Sequence, residues 1–195
     1  MRVRLLKGDI TKQDAEAIVV TANGYLAGNG ENYNTPVHAA AGPELAQACK
    51  QVGICRQGEA KLTPGYKLPS DFVIHTVGPV WRGGVVGEKN ILSSCYVHSI
   101  ALAFQYKLET IAFSLLSVGP HGVPKKEAVT IALSTLLQFE DEDIDISLVL
   151  GNSDTYMMAN RILAQLTHNN KPLNDDDDDD SDTDTDDDFD DDDED

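Results

Sequence analysis

Cysteine is scarce in this sequence. Cys49, Cys55 and Cys95 make an odd number and show no C-x-x-C spacing. That pattern argues against a disulfide framework and a thiolate metal cluster, and predicts inert, reduced thiols. The five histidines add no ligand spacing, so neither a metal nor a cofactor is expected. No apolar run approaches ~18 residues, which excludes a membrane-spanning helix. The opening Met-Arg-Val-Arg-Leu-Leu-Lys-Gly-Asp is too short in its apolar part, and charged too soon, for a signal peptide. The expected location is therefore intracellular, cytoplasmic by default, with the nucleus not excluded. Positive charge is missing from one stretch altogether: Asp175 to Asp195 holds 17 acidic residues and no Lys or Arg. Outside it, 16 acidic residues face 15 basic ones, so the chain's net charge of −18 falls to −1 over residues 1–174. A body so close to neutral offers no basic face by count, and no direct nucleic-acid binding is expected.

What is present divides the chain in two. The acidic stretch carries one apolar side chain, Phe189. It cannot bury enough surface to offset roughly 1–2 kcal/mol of backbone entropy per residue. The expectation is one folded domain over residues 1–170 and a disordered poly-Asp tail over 171–195. Such a tail suits basic partners, histones or other cationic proteins among them.

The body alternates strand and helix patterns. Val3–Leu6, Ala17–Thr21, Glu59–Thr63, Phe72–Val77, Thr110–Leu116 and Ile144–Leu150 read as strands. The run Ala-Ile-Val-Val-Thr at 17–21 has no polar alternation, the mark of a strand covered on both faces. One helix is predicted from Thr35-Pro36 to Val52, stopped by Gly53; others cover Ile91–Tyr106, Pro124–Phe139 and Asp154–Leu166. This order predicts an α/β fold, a mixed but mostly parallel sheet flanked by helices in three α/β/α layers.

Open sheets of this kind bind ligands at the carboxyl ends of their strands. The loops to inspect therefore follow Val20, Val77, Leu116 and Leu150. Residues 22–32 are rich in Gly and Asn, which tolerate positive φ and let backbone N–H groups turn inward. Residues 117–124 read Ser-Val-Gly-Pro-His-Gly-Val-Pro and lead into a helix whose preceding residue, Val123, has no capping oxygen. Its free N–H donors and positive dipole end suit an anion such as phosphate, although a tight βα turn needs the same glycines. Neither loop has the GxxxxGK[ST] spacing, and no GxGxxG occurs.

Taken together these segments resemble the macro domain. The residues carrying the resemblance are Gly8-Asp9-Ile10-Thr11, Thr21-Ala22-Asn23, His38-Ala39-Ala40-Ala41-Gly42-Pro43-Glu44-Leu45, Gly58–Tyr66, Ile74–Gly84 and Ser117-Val118-Gly119. They keep the family's order over about residues 3–165. The similarity is to the MacroD type, which includes bacterial O-acetyl-ADP-ribose deacetylases. It implies the ligand ADP-ribose, free or attached to protein. By resemblance Asp9 would accept from the adenine amino group, with Ile10 supporting the base. Asn23 would face the distal ribose, and Gly28 and Gly30 would belong to the first phosphate loop. Ser117, Gly119, Pro120, His121 and Gly122 would surround the diphosphate. From the residues alone, Asp9 remains open as a turn former and Asn23 as a loop brace. His38 and His75 read as structural.

The departures fall on the catalytic positions. The MacroD-type loop Gly-Gly-Gly-Gly-Val-Asp-Gly is here Gly28-Asn29-Gly30-Glu31-Asn32-Tyr33-Asn34, without the Asp that helps activate water. Val20 stands for the first Asn of Asn-Ala-Ala-Asn, and His121, preceded by Pro120, for the family's second-loop Tyr. Gly151-Asn152-Ser153 replaces an aromatic element after the last strand. Candidate catalytic groups are Asn23, Glu31 and His121. Three functions follow as expectations. The first is a binding module for ADP-ribose or mono-ADP-ribosylated protein. The second is a hydrolase removing ADP-ribose from proteins or acetyl from O-acetyl-ADP-ribose. The third is an interaction protein acting through its tail.

Overall fold

A computed structural model describes residues 2–26 and 35–169. The expectations made for Gly28, Gly30, Glu31 and the acidic tail lie outside the described residues. Within them, strands β1 (Val3–Lys7), β2 (Ala17–Thr21), β3 (Ala60–Pro64), β4 (Phe72–Thr76), β5 (Thr110–Ser114) and β6 (Asp145–Leu150) form one sheet. Its order is β1-β6-β5-β2-β4-β3. Every pairing is parallel except that of β3 with β4, so the expected mixed, mostly parallel sheet is the one observed.

The pleat sorts the apolar run of β2 between two cores. Ala17 and Val19 join one cluster with Ile111, Phe113, Ile146 and Leu148. Ile18 and Val20 join the other with Val73, Ala112 and Val149. Both sets are buried because helices cover both faces. Helices α3 (Glu88–Gln105), α4 (Lys125–Leu136) and α5 (Ser153–Asn169) bury Leu92, Tyr96, Ile100, Leu133 and Ile162 in the first cluster. Helices α1 (Thr35–Ala41) and α2 (Pro43–Val52) bury Val37, Ala41, Leu45 and Cys49 in the second. Each fully buried Val, Leu or Ile contributes about 1.5–3 kcal/mol of transfer free energy.

The single helix expected from Thr35 to Val52 is two. Gly42 breaks it with φ of 93°, and Pro43 opens α2. A proline disfavours the helical region for the residue before it, and glycine accepts the positive φ that turns the chain. Helix α4 starts one residue later than expected. Pro124 sits at its N-cap with no side-chain cap bond, and a 3-10 turn at Leu137–Phe139 completes the predicted span.

The three cysteines are free and buried. Burial pushes the Cys49 and Cys55 thiols up to about 11, so they stay protonated. His75 is fully buried on β4. Its Nε2 lies 2.9 Å from Thr63 Oγ1 and 3.7 Å from Cys49 Sγ. The His38 ring stands 6.4 Å away, and burial lowers its pKa against an opposing hydrogen bond to the Leu26 carbonyl. His75 is fully buried and His38 half-buried beside it.

Candidate ligand-binding site

All five parallel strands end on the same side of the sheet, and the loops that leave them enclose two adjoining depressions. The order of the sheet explains the place. From β2 the chain leaves toward α1 and α2 and then β4; from β5 it leaves through α4 toward β6 on the other side. Adjacent β2 and β5 therefore diverge at their carboxyl ends and open a crevice between them.

The first depression is a groove of about 690 Å³ over β1, β5 and β6. Its lining includes Asp9, Ile10, Val118, Lys125, Leu150 and Asn152. The Gly8 N–H donates to the Leu150 carbonyl at 3.1 Å, which fixes the start of this wall to the end of β6. Asp9 caps the 3-10 turn Ile10–Lys12. Its Oδ1 accepts from both the Thr11 N–H and the Thr11 hydroxyl, each at 2.8 Å. These bonds, the backbone one foremost, hold the Asp9 carboxyl below its ordinary pKa. Both fall on one oxygen, so the capping role and a ligand-facing role at Oδ2 are compatible. Two residues past Leu150, Asn152 Oδ1 accepts from the Thr155 N–H at 2.9 Å and caps the first turn of α5.

The second depression is a cavity of about 190 Å³ over β2, β4 and β5. Asn23, Gln57, Gly78, Val80, Ser117 and His121 are among the residues lining it. Asn23 Oδ1 accepts from the Tyr25 N–H at 3.1 Å, an Asx turn that braces the loop leaving β2. Ser117 lines the cavity and its neighbour Val118 the groove, so the chain at 117–118 runs between the two depressions. Ser117 takes φ of 60°, and its N–H donates to Thr21 Oγ1 at 2.9 Å, tying β5 to β2. Its carbonyl accepts from Val123 N–H at 2.7 Å, closing the 117–123 loop on itself. The His121 carbonyl accepts from Trp81 N–H at 3.0 Å, which anchors the loop after β4. The Ser117 hydroxyl is buried without a hydrogen-bond partner among the described residues.

The first turn of α4 begins just past this loop and lacks a side-chain cap. Its one acid, Glu127, is paired with Lys89 at 2.9 Å. The uncapped donors and Lys125 thus make this end of the crevice suitable for an anion. No group of three or more His, Cys, Asp or Glu able to hold a metal exists among the described residues.

The residues singled out in the sequence fall as follows. Asp9 and Ile10 line the groove; Asn23, Ser117, Gly119, His121 and Gly122 line the cavity. Pro120 lines neither and is exposed at the loop tip. Gln57, Val80 and Thr155 were not anticipated. Val80 and Thr155 follow strands whose carboxyl ends were marked, but nothing in the sequence signals that Gln57 returns to the cavity through a bridge to Val77.

A three-layer α/β/α sandwich with a divided crevice at the carboxyl ends of its parallel strands defines a small-ligand domain of the doubly covered sheet class. Residues 19–132 match the Macro domain family, and the chain belongs to it. It is 43% identical over 168 residues to a macro domain-containing protein of Methanosarcina mazei, covering 85% of this chain and 89% of that protein. It is 42% identical over 145 residues to the ADP-ribose glycohydrolase MACROD2 of Xenopus laevis, covering 74% of this chain but 34% of that protein. Among solved structures, the Oceanobacillus iheyensis macrodomain with ADP superposes with a TM-score of 0.79 at 36% identity. That match covers 85% of this chain and 91% of the other. A single-site variant of the same protein, solved with ADPR, gives the same score and identity over 84% and 92%.

Proposed function

We propose that this domain binds ADP-ribose, free or attached to protein, along the divided crevice. The observation that carries the reading is the partition at Ser117-Val118: a groove bordered by Asp9 on one side and a cavity bordered by Asn23 on the other. Adenine would lie in the groove against Ile10 with its amino group on Asp9 Oδ2. The diphosphate would cross the 117–122 backbone and the start of α4, near Lys125. The distal ribose would enter the cavity beside Asn23. The relatives solved with ADP and ADPR support the ligand class. Calorimetric titration with ADP-ribose tests it; absence of both heat and thermal shift would end it.

Asp9→Asn separates the two roles of that residue. The amide oxygen still accepts from Thr11, but its NH₂ cannot accept from the adenine amino group. The melting temperature is expected to stay near wild type while ADP-ribose affinity falls about tenfold, roughly one good hydrogen bond to a charged group. Unchanged affinity would remove Asp9 from the ligand.

Hydrolysis is the second reading, favoured by the similarity to the MACROD2 glycohydrolase. Among the described residues lining the cavity no carboxylate occurs, and His121 is the one titratable side chain. General-base assistance typically supplies ~10²–10⁴ in rate, so binding is the first reading; His121 is the candidate base for any turnover, and Glu31, the other candidate, lies outside the described residues. Incubation with a mono-ADP-ribosylated protein decides: release of ADP-ribose makes the domain an enzyme, and loss of that release in His121→Ala assigns the base.

A further inference from the structure

The cavity's mouth is bordered by three segments with an unusual surface. Tyr25 follows the Asn23 turn, and the Cys55 N–H donates to the Gly24 carbonyl at 2.9 Å, bringing Ile54 beside it. Val80 stands in the loop after β4 and lines the cavity itself. Tyr25 is 68% exposed, Ile54 67% and Val80 52%; Val80 lines the cavity, Tyr25 lies two residues past its lining residue Asn23, and Ile54 adjoins the Cys55–Gly24 bond. Single exposed apolar residues are ordinary, but clustered ones at a binding site mark an interaction surface. Two exposed arginines, Arg56 and Arg82, occupy the same segments, and neither makes an ion pair among the described residues. The segment carrying Arg82 is rigid. The buried Glu88 carboxylate accepts from the N–H groups of Arg82 at 2.8 Å, Gly84 at 3.1 Å and Val86 at 2.8 Å.

Resting on the binding reading above, we propose that this rim docks the polypeptide to which the ADP-ribosyl group is attached, a segment with acidic and apolar side chains. The argument is one of continuity and charge. With the distal ribose in the cavity, whatever is joined to that ribose leaves through the mouth and crosses Tyr25, Ile54 and Val80. Carboxylates of the segment pair with Arg56 and Arg82, whose fixed backbone limits the ordering cost. The partner is therefore a modified acidic polypeptide, and the free nucleotide uses only part of the site.

The test compares free ADP-ribose with an ADP-ribosylated peptide containing Glu and Leu residues, both by calorimetry on the full chain. Wild type is expected to bind the peptide about tenfold more tightly. The double variant Tyr25→Ser, Ile54→Ser alters exposed side chains only. It is expected to keep its melting temperature and its ADP-ribose affinity within about twofold, and to lose the tenfold advantage. The pair Arg56→Gln, Arg82→Gln is expected to flatten the salt dependence of peptide binding. Equal affinity of wild type for peptide and nucleotide would overturn the docking surface while leaving the cavity's ligand in place. Failure of wild type to bind ADP-ribose at all would overturn the cavity reading and this inference with it. A tenfold gain in peptide affinity on deleting residues 174–195 would make the chain's own acidic tail the occupant, and would overturn the partner assigned here.

Discussion

Replacing Gly122 with alanine is expected to weaken ADP-ribose binding about 100-fold, close to 2.7 kcal/mol. A Cβ at this position would overlap the Ser117 carbonyl oxygen and would lie 2.7 Å from its carbon and 2.8 Å from the Gly119 N atom. All three are backbone atoms of the loop proposed to hold the diphosphate, so no side chain can swing away. The loop must open, and the Ser117–Val123 hydrogen bond that closes it must stretch. Inserting a methyl into such a space typically costs ~1–3 kcal/mol of stability, so the melting temperature should fall as well. Gly24→Ala is the control. Its Cβ would meet only the Cys55 carbonyl oxygen at 3.4 Å, an ordinary contact, and both binding and melting temperature should stay near wild type. Intact affinity in Gly122→Ala would show that the 117–122 backbone does not hold the ligand.

A second large effect is expected from acid. Burial, with the neighbouring His38, holds the His75 imidazole down at about 3. The unfolded chain titrates near the ordinary 6.5. Below that value the unfolded state takes up a proton that the native state refuses, so stability is full above pH 6.5 and is lost as the pH falls toward 3. At pH 5 the loss amounts to roughly 2 kcal/mol, at 1.36 kcal/mol per pH unit. His38, also lowered, acts in the same direction. Denaturant midpoints at pH 7 and pH 5 measure the loss. His75→Gln keeps a partner for Thr63 but cannot titrate, and should flatten the profile between those two values. A wild-type midpoint that does not move between pH 7 and 5 would contradict the burial of a neutral His75.

Much of the architecture could be read from local chemistry. The run at Ala17–Thr21 identified the central strand because a strand covered on both faces omits polar alternation. The loops after Leu116 and Val20 announced themselves through Gly, Asn and Pro, residues whose backbone freedom is visible in their identity. Asp9, Asn23 and Ser117 came from motif order and fall on the two depressions. The break at Gly42 was marked locally by the Gly42-Pro43 pair, but the stretch has helical composition on both sides. Other features were set by distant partners and left no local mark. Gln57 reaches the cavity only because Cys55 bonds Gly24 and Val77 pairs beside it. Glu88 lies before the helix expected over Ile91–Tyr106, yet it opens α3 and gathers three backbone donors from the loop before it. Asp9 shows that two readings of one residue need not compete, since Oδ1 takes both capping bonds and leaves Oδ2 for the proposed adenine contact.

The pairing of β1 with β6 joins Val3 to Ile146 and Lys7 to Leu150 across nearly the whole folded length. Chain closure over such a separation is slow compared with the local pairing of β3 and β4. During vectorial synthesis the first strand therefore has no neighbour until the last one emerges. The groove inherits that delay, because Asp9 and Ile10 are positioned only when Leu150 accepts the Gly8 N–H. A nascent chain lacking β6 would already contain the 117–123 loop but would lack the wall proposed to hold the base. Ligand added during refolding should thus capture the domain late, at the step that joins its two ends.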